Sequence, residues 1–265
     1  MEILEKGICR LTVVPVRNKP SNRSEMVTQL LFGDHYEVLE SSEDQQWLRI
    51  KIYFDGYEGW LSSLNHFQIS QEYFDQINNS DYKICTDHSA SIYFQNHYIH
   101  ILLGSILPIS TNELFRMEEQ LAFNGESKSQ GQRRDFEFIK ETALNYLHSP
   151  YQWGGKTPYG IDCSGFTQQV YKIGGYKLFR DTNQQVSQGN EVSGIKEAKP
   201  GDLGFFSKNG DKISHVGILF AQDQIIHASG KVKIDQLDSQ GIFSEELNKY
   251  THKLLTLRRV LKYGP

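Results

Sequence analysis

Residues 151–166 read YQWGGKTPYGIDCSGF, and this stretch determines how the last third of the chain is interpreted. Its glycine-rich part ends at Cys163, and the apolar residues that follow, through Tyr171, predict a helix. The unpaired amides and the positive dipole end of a helix lower the pKa of a cysteine, and the thiolate is the nucleophilic form. The stretch therefore predicts a reactive cysteine at a helix N-terminus.

A proton partner for this cysteine is expected on strands further along the chain. His215 begins one strand-like run, and His227 lies twelve residues later in a second one. Two adjacent antiparallel strands would present both histidines on one face of a sheet. A fold can bring a nucleophile and its base together over such sequence distances. We expect His215 to be the base and His227 to orient it.

Composition excludes several classes of protein and of site. The chain has 265 residues, enough for two or three domains, and its net charge of −4 offers no positive field for nucleic acid. Its three cysteines include no CxxC pair, so neither a disulfide framework nor a structural zinc site is predicted. One cysteine and two histidines at this spacing lack the local ligand pairs of zinc sites. No metal, cofactor or nucleic-acid partner is expected.

The N-terminal residues carry the information on export. Residues 1–7 contain two acids and no apolar signal-peptide core, and no later segment approaches about 18 consecutive apolar residues. This pattern favours a cytoplasmic protein without membrane insertion. A chain whose leader had been removed would read the same way, and its location would then be periplasmic or extracellular.

Residues 1–70 predict a small all-β barrel. Residues 46–53 alternate apolar and polar side chains, and Asp55-Gly56 supplies a hairpin turn before the next strand. The stretches that make this region resemble a bacterial SH3 (SH3b) module are Pro15-Val16-Arg17, Ser24 to Gln29, Phe32-Gly33-Asp34, Trp47 and Gly59-Trp60-Leu61.

The middle of the chain predicts a second module and a linker. Residues 71–125 contain short candidate strands, with turns at Gly104-Ser105 and Pro108, and are interpreted as a second SH3b-like domain. Residues 126–134 are polar and rich in Gly and Ser, which is typical of a linker. The last domain then covers residues 135–265 and begins with a helix over 135–147.

The last domain resembles the NlpC/P60 family of cysteine peptidases. The resemblance rests on stretches that occur in a fixed order: Tyr151-x-Trp153-Gly154-Gly155, Asp162 to Phe166, Lys199 to Leu203, His215 to Ile218 and Ile226-His227-Ala228. It implies a multidomain fold, with two SH3-like all-β barrels followed by a papain-like α+β catalytic domain. It also implies that Cys163 attacks the scissile carbonyl, that His215 and His227 complete the triad, and that the Tyr151 hydroxyl assists in the oxyanion hole.

Within the family, the resemblance extends to γ-D-glutamyl-L-diamino acid endopeptidases that carry SH3b modules. Their substrates are murein peptides with a free N-terminal L-alanine, so the implied partner is L-Ala-γ-D-Glu-diamino acid. The subgroup implies an ammonium pocket and contacts to the D-glutamyl α-carboxylate, with Arg180 bracing the loop. The implied substrate-binding residues are Glu25, Tyr57, Asp162, Ser164 and Thr182, the last of which is often serine in the subgroup.

Two alternatives remain open at this point. One is a secreted hydrolase of intact peptidoglycan, whose SH3b modules anchor it to the wall. The other is a non-catalytic wall-binding protein, which the intact Cys163, His215 and His227 argue against. An enzyme predicts a Cys163 pKa far below the usual value of about 8.5, whereas a binding protein predicts an ordinary one.

Overall fold

A computed structural model describes residues 3–107, 122–208 and 210–262. The chain divides into two compact units, Met1–Gln132 and Arg133–Pro265. In the part that the structure describes, no helix is long and apolar enough to cross a membrane.

The first unit begins with a seven-stranded antiparallel sheet in the order β3-β2-β6-β5-β4-β1-β7. Its strands are β1 (Glu5–Ile8), β2 (Val13–Arg17), β3 (Met26–Leu31), β4 (His35–Ser41), β5 (Trp47–Ile52), β6 (Glu58–Ser62) and β7 (Gln68–Ile69). Alternation along β5 buries Ile50 and Ile52 and leaves Lys51 exposed, because successive side chains of a strand point to opposite faces. The buried side chains form one core with Val16, Tyr36 and Leu61.

The β5–β6 hairpin turns at Asp55-Gly56, as its sequence predicts. Gly56 has a φ of +72°, a conformation that costs a residue with a Cβ atom more than it costs glycine. The Asp55 carboxylate accepts a hydrogen bond from the Tyr57 amide at 3.0 Å, and the Gly56 amide donates to the Ile52 carbonyl at 2.8 Å. These contacts set the register of the two strands.

The rest of the first unit does not confirm a second SH3 barrel. Helix α1 (Gln71–Asn79) is followed by two three-stranded sheets, β10-β9-β12 and β11-β8-β13. The strands are β8 (Lys83–Cys85), β9 (Ser89–Phe94), β10 (His97–Leu102), β11 (Ile106–Leu107), β12 (Ala122–Asn124) and β13 (Ser127–Ser129). Part of the predicted module, residues 108–121 with the Pro108 turn, lies outside the described residues.

The linker prediction does not hold for residues 127–129. They form β13, which pairs with β8 at Ser127↔Cys85 and Ser129↔Lys83. Backbone pairing stabilises a polar strand whatever its side chains, so the composition of this segment did not reveal the strand.

The second unit combines helices with a seven-stranded antiparallel sheet in the order β16-β22-β17-β18-β19-β20-β21. Its helices are α2 (Phe136–Leu144), α3 (Cys163–Ile173) and α4 (Thr182–Gln185). The short strands β14 (Lys156–Thr157) and β15 (Gly160–Ile161) form a separate pair. The strands of the large sheet are β16 (Asn190–Val192), β17 (Leu203–Ser207), β18 (His215–Ala221), β19 (Gln224–Ser229), β20 (Lys231–Leu237), β21 (Gly241–Ser244) and β22 (Lys249–Arg259).

The papain-like description of this unit is not confirmed. Strand β22 pairs with β21 as well as with β17, so the sheet closes into a barrel instead of remaining open. Helix α3 packs against β18 and β19. The start of the cysteine helix therefore lies against the strands that carry the predicted histidines.

Candidate active site

Helix α3 begins at Cys163, and Asp162 is its N-cap. One Asp162 oxygen accepts the Gly165 amide at 2.7 Å, and the other accepts the Gly154 amide at 2.8 Å. The same carboxylate thus caps the helix and fixes the preceding glycine loop. Cys163 is only 6% exposed, so its sulfur lies in a largely dehydrated position.

Arg180 holds the same carboxylate from the other side. Its guanidinium donates to the two Asp162 oxygens at 3.0 and 2.6 Å and to the Ser164 hydroxyl at 2.9 Å. Both side chains of the ion pair are buried, and the bidentate geometry offsets the charge of Asp162. Asp162 is therefore a structural carboxylate whose oxygens already accept hydrogen bonds within the protein. It is not an unpaired negative group available to bind a substrate ammonium.

The predicted histidines lie on neighbouring strands. His215 begins β18, His227 lies in β19, and His215 Nε2 is 2.7 Å from His227 Nδ1. His227 Nε2 in turn lies 3.0 Å from an oxygen of Asp235 in β20, and Lys233 Nζ contacts that same oxygen at 3.0 Å. A continuous row of polar groups therefore extends from His215 through His227 and Asp235 to Lys233.

Cys163 is linked to this row through the β18 backbone. The Val216 backbone, next in the chain after His215, acts to lower the pKa of the Cys163 thiol, and Thr182 Oγ1 lies 3.9 Å from Sγ. Since His215 Nε2 is engaged by His227, Nδ1 is the ring nitrogen left to accept the thiol proton. The arrangement can carry out nucleophilic attack with a histidine base.

The resting protonation state differs from the sequence-based expectation. Burial raises the pKa of the Cys163 thiol to about 11; the nearby Asp162 charge acts in the same direction, and the Thr182 hydroxyl and the Val216 amide act against it. Burial, His227 and His252 together hold the pKa of His215 well below its usual value. The expectation of a lowered cysteine pKa was wrong, because burial of the thiol and the neighbouring Asp162 charge raise that pKa. The resting forms of Cys163 and His215 are therefore a neutral thiol and a neutral imidazole.

This protonation state predicts the pH dependence of alkylation. The rate at which iodoacetamide modifies Cys163 should still increase above pH 8.5, since the buried thiol stays protonated there and only the thiolate reacts. Site-specific mass spectrometry of Cys163 between pH 6 and pH 10 measures this rate. A plateau reached below pH 8 would contradict the neutral resting pair.

Sequence reasoning missed three residues of the site: Lys233, Asp235 and His252. The ring of His252 in β22 stacks on that of His215, with centroids 4.2 Å apart and planes inclined by 23°. The alternation of side chains along β20 could have predicted Asp235, because it places Lys233 and Asp235 on the same face of the strand. The position of His252 depends on the pairing of β22 with β17, the neighbour of β18, for which the sequence carries no local signal.

The remaining predicted residues of the second unit surround the nucleophile. Burial, and the Cys163 and Asp162 side chains as they ionise, raise the pKa of Tyr151, so its hydroxyl stays protonated and can donate. Tyr151 is 37% exposed, and its amide donates to the Gly230 carbonyl at 2.9 Å. The Ser164 hydroxyl is occupied by Arg180 and Asp162, whereas Thr182 contacts the sulfur.

The remaining two predicted residues lie in the first unit. Glu25 is exposed and accepts a hydrogen bond from Asn18 Nδ2 at 3.0 Å. Tyr57 is half-buried and packs against the core of the first sheet. Among residues 3–107, 122–208 and 210–262, no three His, Cys, Asp or Glu side chains are arranged to hold a metal ion.

Comparison with family models identifies both regions. Residues 148–251 match the NlpC/P60 family, and residues 16–64 match the bacterial dipeptidyl-peptidase SH3 domain. The chain contains an NlpC/P60 cysteine peptidase domain and a bacterial SH3 domain. The matched NlpC/P60 segment includes Cys163, His215, His227 and Asp235.

Curated relatives and a solved structure resemble most of the chain. Dipeptidyl-peptidase 6 of Lysinibacillus sphaericus is 26% identical over 84% of this chain and 88% of its own length. The γ-D-glutamyl-L-lysine dipeptidyl-peptidase of Bacillus subtilis is 28% identical over 76% of this chain and 71% of its own. An NlpC/P60 family protein of Bacillus cereus has the same fold, with a TM-score of 0.80 at 21% identity, over 97% of this chain and 100% of its own.

Proposed function

We propose that this NlpC/P60 domain hydrolyses the γ-D-glutamyl-L-diamino acid bond of murein peptides that carry a free N-terminal L-alanine. The observation that supports hydrolysis is the Cys163 sulfur at the start of α3, beside the β18 backbone at His215. The name of the Bacillus subtilis relative supports the choice of bond. Action on released wall peptides during their recycling, rather than on the intact wall, is part of the proposal.

The chemistry follows from the neutral resting pair. The Cys163 thiol transfers its proton to His215 Nδ1 as the sulfur attacks the γ-carbonyl carbon. The resulting tetrahedral oxyanion accepts hydrogen bonds from the Cys163 amide and, in this proposal, from the Tyr151 hydroxyl. His215 then gives its proton to the leaving amine of the diamino acid, and a thioester remains.

Hydrolysis of the thioester completes the cycle. His215 removes a proton from water as the water oxygen attacks the thioester carbonyl, the C–S bond breaks to release L-Ala-γ-D-Glu, and His215 returns the proton to the Cys163 sulfur. His227 keeps the His215 ring in place throughout both halves. Protons and electron pairs balance over the two steps without a cofactor.

Selection for a free amine requires a negative group and a closed cleft end, since an unpaired buried charge costs several kcal/mol. In the proposal, Glu25 and Tyr57 supply this pocket, and Asp162 contributes by holding the nucleophile loop. Thr182 and Ser164 are assigned to the α-carboxylate of the D-glutamyl residue, and the Ser164 hydroxyl would exchange its 3.3 Å hydrogen bond to Asp162 for one to the substrate. The resemblance of the sequence supports these substrate-binding roles.

The test compares four peptides by mass spectrometry. They are L-Ala-γ-D-Glu-meso-diaminopimelate, the corresponding L-lysine peptide, and the N-acetylated form of each. We expect cleavage of the free-amine peptides only, and none by Cys163→Ala. The Glu25→Gln variant should raise KM for the free-amine peptide by about 10-fold, since one charge-assisted hydrogen bond contributes roughly 1.5 kcal/mol.

Each other outcome removes a defined part of the proposal. Equal cleavage of free and acetylated peptides would retain the nucleophile and reject the ammonium pocket. Cleavage of intact peptidoglycan, assayed beside the peptides, but of none of the four peptides would favour the secreted wall hydrolase. Absence of cleavage of every substrate would favour the non-catalytic wall-binding protein.

A further inference from the structure

Asp235 lies at the end of the polar row, two hydrogen bonds away from the base. It is buried, and one of its oxygens contacts both His227 Nε2 and Lys233 Nζ at 3.0 Å. Burial opposes ionisation, but hydrogen bonds from His227 and Lys233 overcome it and hold the pKa of Asp235 below its usual value. Asp235 is therefore a carboxylate that can only accept hydrogen bonds.

An acceptor at this place determines where the proton of His227 resides. Since Asp235 cannot donate, the short contact requires that His227 Nε2 carries a hydrogen. Burial keeps the pKa of His227 below its usual value, and the neutral ring then has an unprotonated Nδ1. That Nδ1 can only accept, so the 2.7 Å contact requires a hydrogen on His215 Nε2.

The hydrogen on His215 Nε2 also decides which nitrogen is available to the nucleophile. A neutral His215 with its hydrogen on Nε2 has a lone pair on Nδ1, which is the nitrogen left for the Cys163 proton. The opposite tautomer would present an N–H to the thiol and could not act as the base. The tautomer of His215 is thus determined by Asp235, which lies two hydrogen bonds away.

We propose that Asp235 is a positioning residue that selects the catalytic tautomer of His215 through His227, and that Lys233 holds its carboxylate in place. Lys233 fits this role because its ammonium contacts Asp235 at 3.0 Å and reaches a Glu246 oxygen at 3.7 Å on its other side. When His215 becomes an imidazolium during attack, the negative charge of Asp235 also stabilises it through the row.

Replacing Asp235 separates the effect on the tautomer from the effect on charge. Asp235→Asn keeps an oxygen that can accept from His227 but removes the negative charge. Asp235→Leu has a similar shape and removes the acceptor as well. Asp223→Asn makes the same chemical change in the exposed turn between β18 and β19 and serves as the matched control.

Nitrogen NMR of the histidine rings reports the tautomers directly and requires no substrate. In the parent protein at pH 7.5, His215 and His227 should both carry hydrogen on Nε2 and none on Nδ1. In Asp235→Leu, His227 should populate the form protonated at Nδ1, whereas Asp235→Asn and Asp223→Asn should retain the parent tautomer. A residue with a purely structural role would not change the tautomer.

Turnover of the free-amine peptide is the second measurement, and it rests on the proposed function. Asp235→Leu should lower kcat by about 10- to 100-fold with KM changed less than about 3-fold, since the residue acts on the base and not on the substrate. The kcat of Asp235→Asn should lie between that of Asp235→Leu and that of the parent. The kcat of Asp223→Asn should equal that of the parent. If no protein cleaves the peptide, the proposed function fails and the NMR result still decides the inference. A parent His227 protonated at Nδ1, or parent tautomers and parent kcat in Asp235→Leu, would overturn it.

Discussion

His215→Ala should lower kcat by on the order of 10⁴-fold or more, the largest kinetic loss expected of a variant that keeps the nucleophile. The reason is the raised pKa of Cys163, about 11, which leaves almost no thiolate at neutral pH unless a base removes the proton. KM should change little, because the imidazole acts on the thiol and the leaving amine. Steady-state turnover of L-Ala-γ-D-Glu-diamino acid, with and without added imidazole, measures the effect.

Added imidazole separates a missing base from a damaged fold. The alanine variant leaves space beside Cys163, so free imidazole should recover part of the lost kcat, whereas an unfolded domain would not respond. The exposed His97→Ala, in the first unit, is the matched control and should keep the parent rate. A loss smaller than about 10-fold in His215→Ala would rule out His215 as the base.

Arg180→Met should destabilise the second unit by about 3–5 kcal/mol, which is the effect expected when one partner of a buried ion pair is removed. The Arg180 and Asp162 side chains are 1% and 7% exposed, and two charge-assisted hydrogen bonds of 3.0 and 2.6 Å join them. Methionine preserves much of the volume but leaves the carboxylate without its cation. Asp162 caps α3, so the position of Cys163 should become less well defined as well.

Urea unfolding measures this loss in the free energy of unfolding. Hydrogen exchange of peptides from residues 133–265 detects the unfolding of the second unit specifically. The double variant Arg180→Met/Asp162→Asn should recover part of it, because no uncompensated charge then remains. Lys253→Met is the matched control, since it breaks an exposed pair with Asp211 and should cost less than about 1 kcal/mol. If Arg180→Met were as stable as Lys253→Met, the bracing role of the buried pair would be wrong.

The state of the site before substrate binds follows from its burial. A neutral thiol beside a neutral imidazole does not react until a carbonyl is placed against the sulfur, so proton transfer and attack occur together. The low pKa of His252, about 4, keeps this stacked ring uncharged at neutral pH. The stack therefore shields one face of His215 without adding a second positive charge.

The sequence determined the chemical identity of the site and its local supports. Cys163 at a helix start, two histidines on adjacent strands and the first β-hairpin could all be predicted, because helix starts, turns and side-chain alternation are local properties. The order of the motifs was sufficient to predict the NlpC/P60 domain, which the family comparison confirms. A second SH3 barrel was inferred from similar short strands, but strand patterns alone do not specify which strands pair.

Only the tertiary structure decided which groups surround the nucleophile and how they are charged. Asp235 joins the row because β20 pairs with β19, and His252 reaches His215 because β22 and β18 both pair with β17. The thiol pKa rises rather than falls because burial depends on every element packed around Cys163, which no local pattern records. Residue types and spacing are written in the sequence, whereas solvent exclusion and long-range strand pairing arise only when the chain folds.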